Sequence, residues 1–323
     1  MLLDTLKRRR VALGVLGVLA FAGVLQFTNT NPAVSQTLYL NAYESESDPG
    51  LDPGHDAWKD AMPVNIALSA QAGSYAAGGG SVATIGAKAL HHNDTLYIRV
   101  EWDDASQNDT TIRAEDFADA VAIEFPSKTA TTVPSVCMGQ ADSGVNIWHW
   151  RADSDAGLKD PNVFYTSSSV DGYPYTDSLF YTAREAGNPF ANPDLGAVQT
   201  LVSRAFGELT TSTVQDVQGH GAWVDGKWAV VFARPYASLG LEHAEFASGN
   251  STDMAFAVWD GESDERNGLK STSQFVTLSI SGAPLPGDGG TDWNALTIGG
   301  ILLGLFVALG IGLGVYGYRE GQR

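Results

Sequence analysis

The chain has 323 residues, a formal net charge of −18 and one cysteine, Cys137. So acidic a field repels nucleic acid and excludes it as a partner. A lone cysteine excludes an internal disulfide, zinc sites built on paired cysteines and a Cys-x-x-Cys-His haem attachment. The many carboxylates beside scarce lysine read as a coat suited to very salty surroundings, a halophilic signature.

Both ends are apolar. Lys7 and Arg8 to Arg10 precede the run Val11 to Phe27, and Ala33-Val34-Ser35 offers small residues where a signal peptidase would cut. Ala295 to Gly317 is uncharged and long enough to cross a hydrocarbon core of about 30 Å as a helix. Trp293, Tyr316 and Tyr318 flank it, and Arg319 and Arg323 follow. With positive charge at both extreme ends, the tails are expected in the cytoplasm and the intervening domain outside the cell membrane. The expected organisation is a basic tail with a membrane anchor or signal peptide over 1–36 and an extracytoplasmic domain over 37–281. A Gly/Pro linker over 282–294 and a C-terminal transmembrane helix with a short basic tail over 295–323 complete it.

Between the ends the chain reads as strands. Thr37 to Tyr43 and Val64 to Leu68 come first, then a hairpin of Ser81 to Leu90 and Thr95 to Trp102 around the polar turn at His92-Asn93-Asp94. Ala120 to Phe125 and Val145 to Trp150 follow. Ala222 to Phe232 is the firmest hairpin, because Asp225-Gly226 suits a tight type I′ turn. Met254 to Trp259 and Ser273 to Ile280 close the domain. Many short strands without a 3.6-residue rhythm predict an all-β, antiparallel β-sandwich. Leu158 to Gln199 is polar and aperiodic, either disordered or functional.

Two segments carry candidate chemistry. Met138 sits between Pro134 and Gly139, in a loop feeding Val145 to Trp150, where a thioether can face inward as a soft donor rather than fill a core gap. Lys270, in Gly268-Leu-Lys-Ser271, is either a solvated charge or an amine whose proton burial would remove. No nucleophile with a base, paired catalytic carboxylates or phosphate-binding loop stands out, so the chain is not expected to be itself catalytic. Gly78-Gly79-Gly80 precedes a strand and reads as a flexible turn.

Several phrases in order resemble the γ subunit of ethylbenzene dehydrogenase and the related haem subunits of dimethylsulfide, selenate and chlorate oxidoreductases. They are Asp52-Pro-Gly-His-Asp-Ala-Trp58, Leu96 to Trp102, Asp119 to Pro126, Met138-Gly139 with Val145 to Trp148, Gly226 to Pro235, and Phe256 to Gly261 with Glu265-Arg266, Gly268 and Lys270-Ser271. The resemblance implies one non-covalent haem b in a β-sandwich, with Met138 and Lys270 as axial ligands of the iron. It implies an electron-transfer subunit partnered by iron–sulfur and molybdopterin subunits of a molybdenum oxidoreductase, of the nitrate, chlorate, selenate or dimethylsulfoxide-respiring kind. His149 is the histidine alternative to Lys270, and Arg234 is a candidate partner for a haem propionate. The histidines at 55, 91, 92, 220 and 243 are expected at the surface.

Two other readings stand beside it. One is a haem-free extracellular module binding carbohydrate or protein through Trp223, Trp228 or the Tyr173 and Tyr175 loop. The other is a structural cell-surface protein whose acidic coat is its main adaptation.

Overall fold

The computed structural model describes residues 38–71, 78–111, 113–136, 138–159, 196–205 and 207–284. The chain divides into Met1–Tyr39 and Leu40–Arg323, and the fold below is that of the second unit. Both apolar runs, Cys137 and nearly all of the aperiodic segment lie outside the described residues. Among the described residues no helix is long and apolar enough to cross a membrane.

The strands are β1 (Tyr39–Glu44), β2 (Val64–Ala67), β3 (Ser69–Ala70), β4 (Thr84–His92), β5 (Thr95–Asp103), β6 (Ala120–Pro126) and β7 (Val145–Arg151). After a short helix, α1 (Ala152–Lys159), come β8 (Val198–Ser203), β9 (Thr210–Thr211), β10 (Gln218–Val224), β11 (Lys227–Pro235), β12 (Ser251–Trp259), β13 (Ser271–Thr272) and β14 (Val276–Pro284). The all-β reading therefore holds, and both hairpins form where expected. Asn93 and Asp94 turn the first, at φ 45° and 57°, and Asp225 and Gly226 turn the second, at φ 50° and 79°.

Strand order is β10-β11-β5-β4-β1-β14-β12-β6-β7-β8-β9. One expectation is corrected: the sheet is mixed, because β1 runs parallel to β4, with Ala42 opposite Ala89. The long connection from Glu44 to Thr84 makes that crossover possible. It also carries Trp58, which with Ala61 covers Leu90, Tyr97 and Val231 on the outer face of β4, β5 and β11.

The sheet doubles over at β12. The N-terminal half of that strand pairs with β14, Met254 opposite Val276, and the C-terminal half pairs with β6, Ala255 opposite Glu124. The two layers then face each other. Trp150 of β7 meets Trp228 of β11 edge-on at 5.1 Å between centroids, and Trp148 lies 6.3 Å from Phe232. These rings, with Trp102, Phe125 and Phe256, fill the core between the layers. Two of the indole N–H groups find buried carboxylates: Trp150 donates to Asp155 and Trp228 to Asp119. Asp155 is in the first turn of α1, where the helix dipole favours a carboxylate. The sequence reading missed this helix because only eight mostly polar residues form it.

At Gly221 the layers come into close contact, since a Cβ there would lie 2.3 Å from Trp150 Cζ2. Gly221→Ala should therefore force the indole aside and lower stability by about 1–3 kcal/mol, the usual cost of overpacking a core. Chemical denaturation measures this, and an unchanged midpoint would refute the close packing.

Candidate cofactor site

β6, β7 and β12 each present two faces, because successive side chains point to opposite sides of a strand. Their inner set is bulky: Val121, Ile123 and Phe125, Trp148 and Trp150, Phe256 and Val258. Their outer set is mostly small or polar, with Ile147 and Trp259 as the large exceptions. Register places Ala257, Ala122 and His149 in one row across the strands, and Ala255, Glu124, Ile147 and Leu201 in the next. A third row holds Trp259, Ala120 and Arg151.

On this alanine floor stands a cavity of about 530 Å³. Its walls are mostly apolar, and Met138, Lys270 and His149 all line it. Three candidates named from the sequence thus line one cavity, although Lys270 is more than a hundred positions from Met138 and His149 in the chain.

Met138 reaches the cavity through a tight turn. Met138 and Gly139 both take positive φ, 74° and 79°, and the Gly139 amide donates to the Ser135 carbonyl. Ser203 Oγ of β8 donates to the Met138 carbonyl at 2.9 Å. A non-glycine residue in the left-handed region is strained, and here neighbouring strands fix it.

Lys270 is held from the other side of the floor. Its carbonyl accepts from the Gln71 amide, and the following Ser271 pairs with Ala70 of β3 and Val258 of β12. Gly79, at φ 78°, lies so close that a Cβ there would be 2.2 Å from the Lys270 amide nitrogen. The triple-glycine turn is therefore a platform under Lys270 rather than a mere spacer. Buried Glu265 fastens the loop, accepting from the amides of Ser81 and Asp260. Lys270 Nζ lies 5.0 Å from the centre of the Trp259 ring.

Two titratable groups on the floor are strongly perturbed. Burial pushes the Glu124 carboxyl up to about 8, against the pull of Lys270 and a hydrogen bond from the Met138 amide. Its Oε1 is buried without a hydrogen-bond partner. Burial, helped by Arg151 and Lys270, drives His149 down to about 3, so its imidazole is neutral and its ring lies 5.0 Å from Trp259. A neutral imidazole, a thioether, an amine and a carboxyl with one unpartnered oxygen, above small side chains, form a donor set suited to a large, flat, metal-centred group.

Arg234 is elsewhere. It is fully buried between the layers, donating to the Ala244 carbonyl at 2.7 Å and stacked 4.3 Å from the Phe246 ring centre. That is the opposite face from the cavity, so the propionate role expected of it is corrected. Arg151 and Arg266 line the cavity instead, and Arg266 stacks 4.6 Å from the centre of Phe117. The histidine expectation also fails in part. His91 is buried against the Ser281 carbonyl, and His243 is buried between Ser212 and Ser238. The aromatics suggested for sugar binding are not displayed: Trp228 is in the core, and half-buried Trp223 donates to the Asp104 carbonyl. Tyr173 and Tyr175 lie outside the described residues.

A family profile described as ethylbenzene dehydrogenase matches residues 55–271, well over half of the chain. The chain belongs to the ethylbenzene dehydrogenase family. Among its relatives is a protein of Haloferax mediterranei named as a respiratory nitrate reductase heme subunit, 27% identical over 81% of each chain. Another is the chlorate reductase subunit gamma of Ideonella dechloratans, 25% identical over 68% of this chain and 75% of that one. The dimethylsulfide dehydrogenase subunit gamma of Rhodovulum sulfidophilum is 29% identical over 61% of each. Among solved structures, a family 9 carbohydrate-binding module of Caldicellulosiruptor kristjanssonii in complex with glucose matches at a TM-score of 0.40 and 10% identity. The match covers 77% of this chain and 99% of that one, and a likeness so slight carries no argument about function.

The perturbed groups make stability pH-dependent. Glu124 goes from an ordinary 4.5 to about 8 on folding, so the folded chain binds the extra proton and stability falls as pH rises through that window. Asp119, raised by burial to about 7, acts in the same sense and stops there. His149 acts oppositely, but its contribution is already complete above 6.5. In cofactor-free protein, urea midpoints should therefore drop between about pH 7 and 8, and Glu124→Gln should flatten that drop. A slope the same in both proteins would contradict the assignment.

Proposed function

We propose that the chain is a haem b electron-transfer subunit of an extracytoplasmic molybdenum oxidoreductase complex, not itself catalytic and anchored to the membrane by its C-terminal apolar segment, the N-terminal run being a second anchor or a signal peptide. One observation carries this reading: Met138 and Lys270, far apart in sequence, line a single alanine-floored cavity. Family membership and relatives named as heme or gamma subunits of nitrate, chlorate and dimethylsulfide enzymes support it.

When bound, haem would supply reversible one-electron exchange at its iron. The chain's own residues do the rest. Met138 offers a soft sulfur, and Lys270 would offer an amine once its proton is released to solvent, a loss that burial favours. Ala120, Ala122, Ala255 and Ala257 leave room for the macrocycle and keep water from its face. Arg266, lining the cavity and exposed, is the guanidinium we assign to a propionate in place of Arg234. The partners in this reading are the iron–sulfur and molybdopterin subunits, with electrons passing between the haem edge and the iron–sulfur subunit.

A reduced-minus-oxidised spectrum of the purified protein should show the bands of a six-coordinate b-type haem. Met138→Ala and Lys270→Ala should each shift those bands and the potential or lose the haem, and Gly79→Ala should weaken haem retention by displacing Lys270. His149→Ala should leave the spectrum six-coordinate. A spectrum abolished only by the histidine change would contradict the ligand pair, and protein without haem would favour a binding module.

The orientation is tested separately. A tag inserted between Gly287 and Gly290 should be labelled from outside intact cells. Labelling only after lysis would place the domain on the cytoplasmic side.

A further inference from the structure

Three carboxylates converge beside the cofactor cavity. Asp104 follows β5, Asp119 precedes β6 and Asp260 follows β12, and one ligand oxygen from each lies within 4.8 Å of the others. Calcium ligands sit at about 2.3–2.6 Å, so two oxygens on one ion are at most about 4.6–5.2 Å apart, and adjacent ones are closer. The spacing fits.

Asp104 is 92% buried, being 8% exposed, and its Oδ2 has no hydrogen-bond partner although Oδ1 accepts from the Ser106 amide. The side-chain oxygen of Asn108 is likewise buried and unpartnered. Asn108 is next to the cluster: its amide donates to Asp119 at 2.8 Å, and a Cβ on Gly261 would touch its own Cβ at 2.7 Å. Asp119 is fully buried and receives neutral donors, the amides of Asn108 and Gly261 and the Trp228 indole. Asp260 is partly exposed, its Oδ1 accepting from the Ser263 amide and its Oδ2 from the Ser263 hydroxyl. Trp102 Nε1, buried close to Asp104, is a donor and faces the carboxylate rather than the ion. Leaving buried anionic oxygens unsatisfied costs far more than leaving neutral groups so.

We propose that Asp104, Asp119, Asp260 and the side-chain oxygen of Asn108 bind a calcium-class divalent cation. Hard oxygen donors, three of them carboxylates, select such an ion over soft metals. The ion ties the connection from β5 to β6, which carries Asp104, Asn108 and Asp119, to the loop that follows β12. Both border the cavity: Phe117, Ala118 and Ala120 flank Asp119, and Asp260 opens the loop that ends at Lys270. The site is separate from the haem ligands, so it stands or falls independently of them.

Terbium luminescence tests this on the full-length protein after removal of divalent ions by chelation. High potassium chloride suppresses loose association with surface carboxylates. Trp223 and Trp228, whose indoles donate to the Asp104 carbonyl and to Asp119, are placed to sensitise the ion. Saturable emission at one ion per chain, displaced by calcium, is expected. Asp260→Asn, which alters the partly exposed member and should fold, is expected to weaken it at least tenfold, and Asp104→Asn to abolish it. Calcium should also raise the thermal midpoint of the wild type but not of the Asp260→Asn protein. Emission that is unsaturable, or unchanged in the Asp260→Asn protein, or a midpoint indifferent to calcium, would overturn the site.

Discussion

The arrangement depends on three strands that serve two faces at once. β6, β7 and β12 must bury aromatic and branched side chains inward to hold the layers together, yet leave their outer face hollow. Strict alternation achieves both, with Val121, Ile123 and Val258 inside and Ala120, Ala122 and Ala257 outside. A one-residue slip in register would put Trp148 and Trp150 into the cavity and His149 into the core. The inward tryptophans are thus what makes the outer hollow stable. β12 is the strand that links the layers, and it also carries part of the floor.

The walls are made differently from the floor. Met138 and Lys270 come from turns, and each turn is over-determined by neighbours that have no direct part in ligation. Ser203 holds the Met138 carbonyl, while Gln71, Gly79 and Glu265 hold the stretch that ends at Lys270. Such support matters because an axial pair is useful only when its geometry is fixed before the metal group arrives. The carboxylate cluster at Asp104, Asp119 and Asp260 extends the same logic to the far end of the Lys270 loop.

Much of the fold was legible. Asn93-Asp94 and Asp225-Gly226 announced their hairpins because tight turns demand positive φ, and short apolar runs marked β6, β7 and β12. The parallel pairing of β1 with β4 was not legible, since nothing local to Tyr39–Glu44 specifies its neighbour. In the site, Met138, Lys270 and His149 were legible by residue type and family resemblance. Glu124 was not, although the run Ala120-Val-Ala-Ile-Glu-Phe125 carried the signal: small, small, acidic on one face and bulky on the other. Arg234 misled because an arginine at a strand end usually reaches outward, whereas here the core offers it the carbonyl of Ala244 and two aromatic faces. Buried His91 and His243 were missed for a related reason: their partners, Ser281 and Ser212, are distant in sequence.

The central claim is that this cavity holds an iron between the sulfur of Met138 and the amine of Lys270. X-ray absorption at the iron edge, combined with near-infrared magnetic circular dichroism of the oxidised protein, addresses it most directly. The account predicts one sulfur scatterer beside five nitrogens and a charge-transfer band of methionine–amine ligation, both retained when His149 is replaced by alanine. Six nitrogens without sulfur, or an imidazole signature that vanishes with His149, would contradict it.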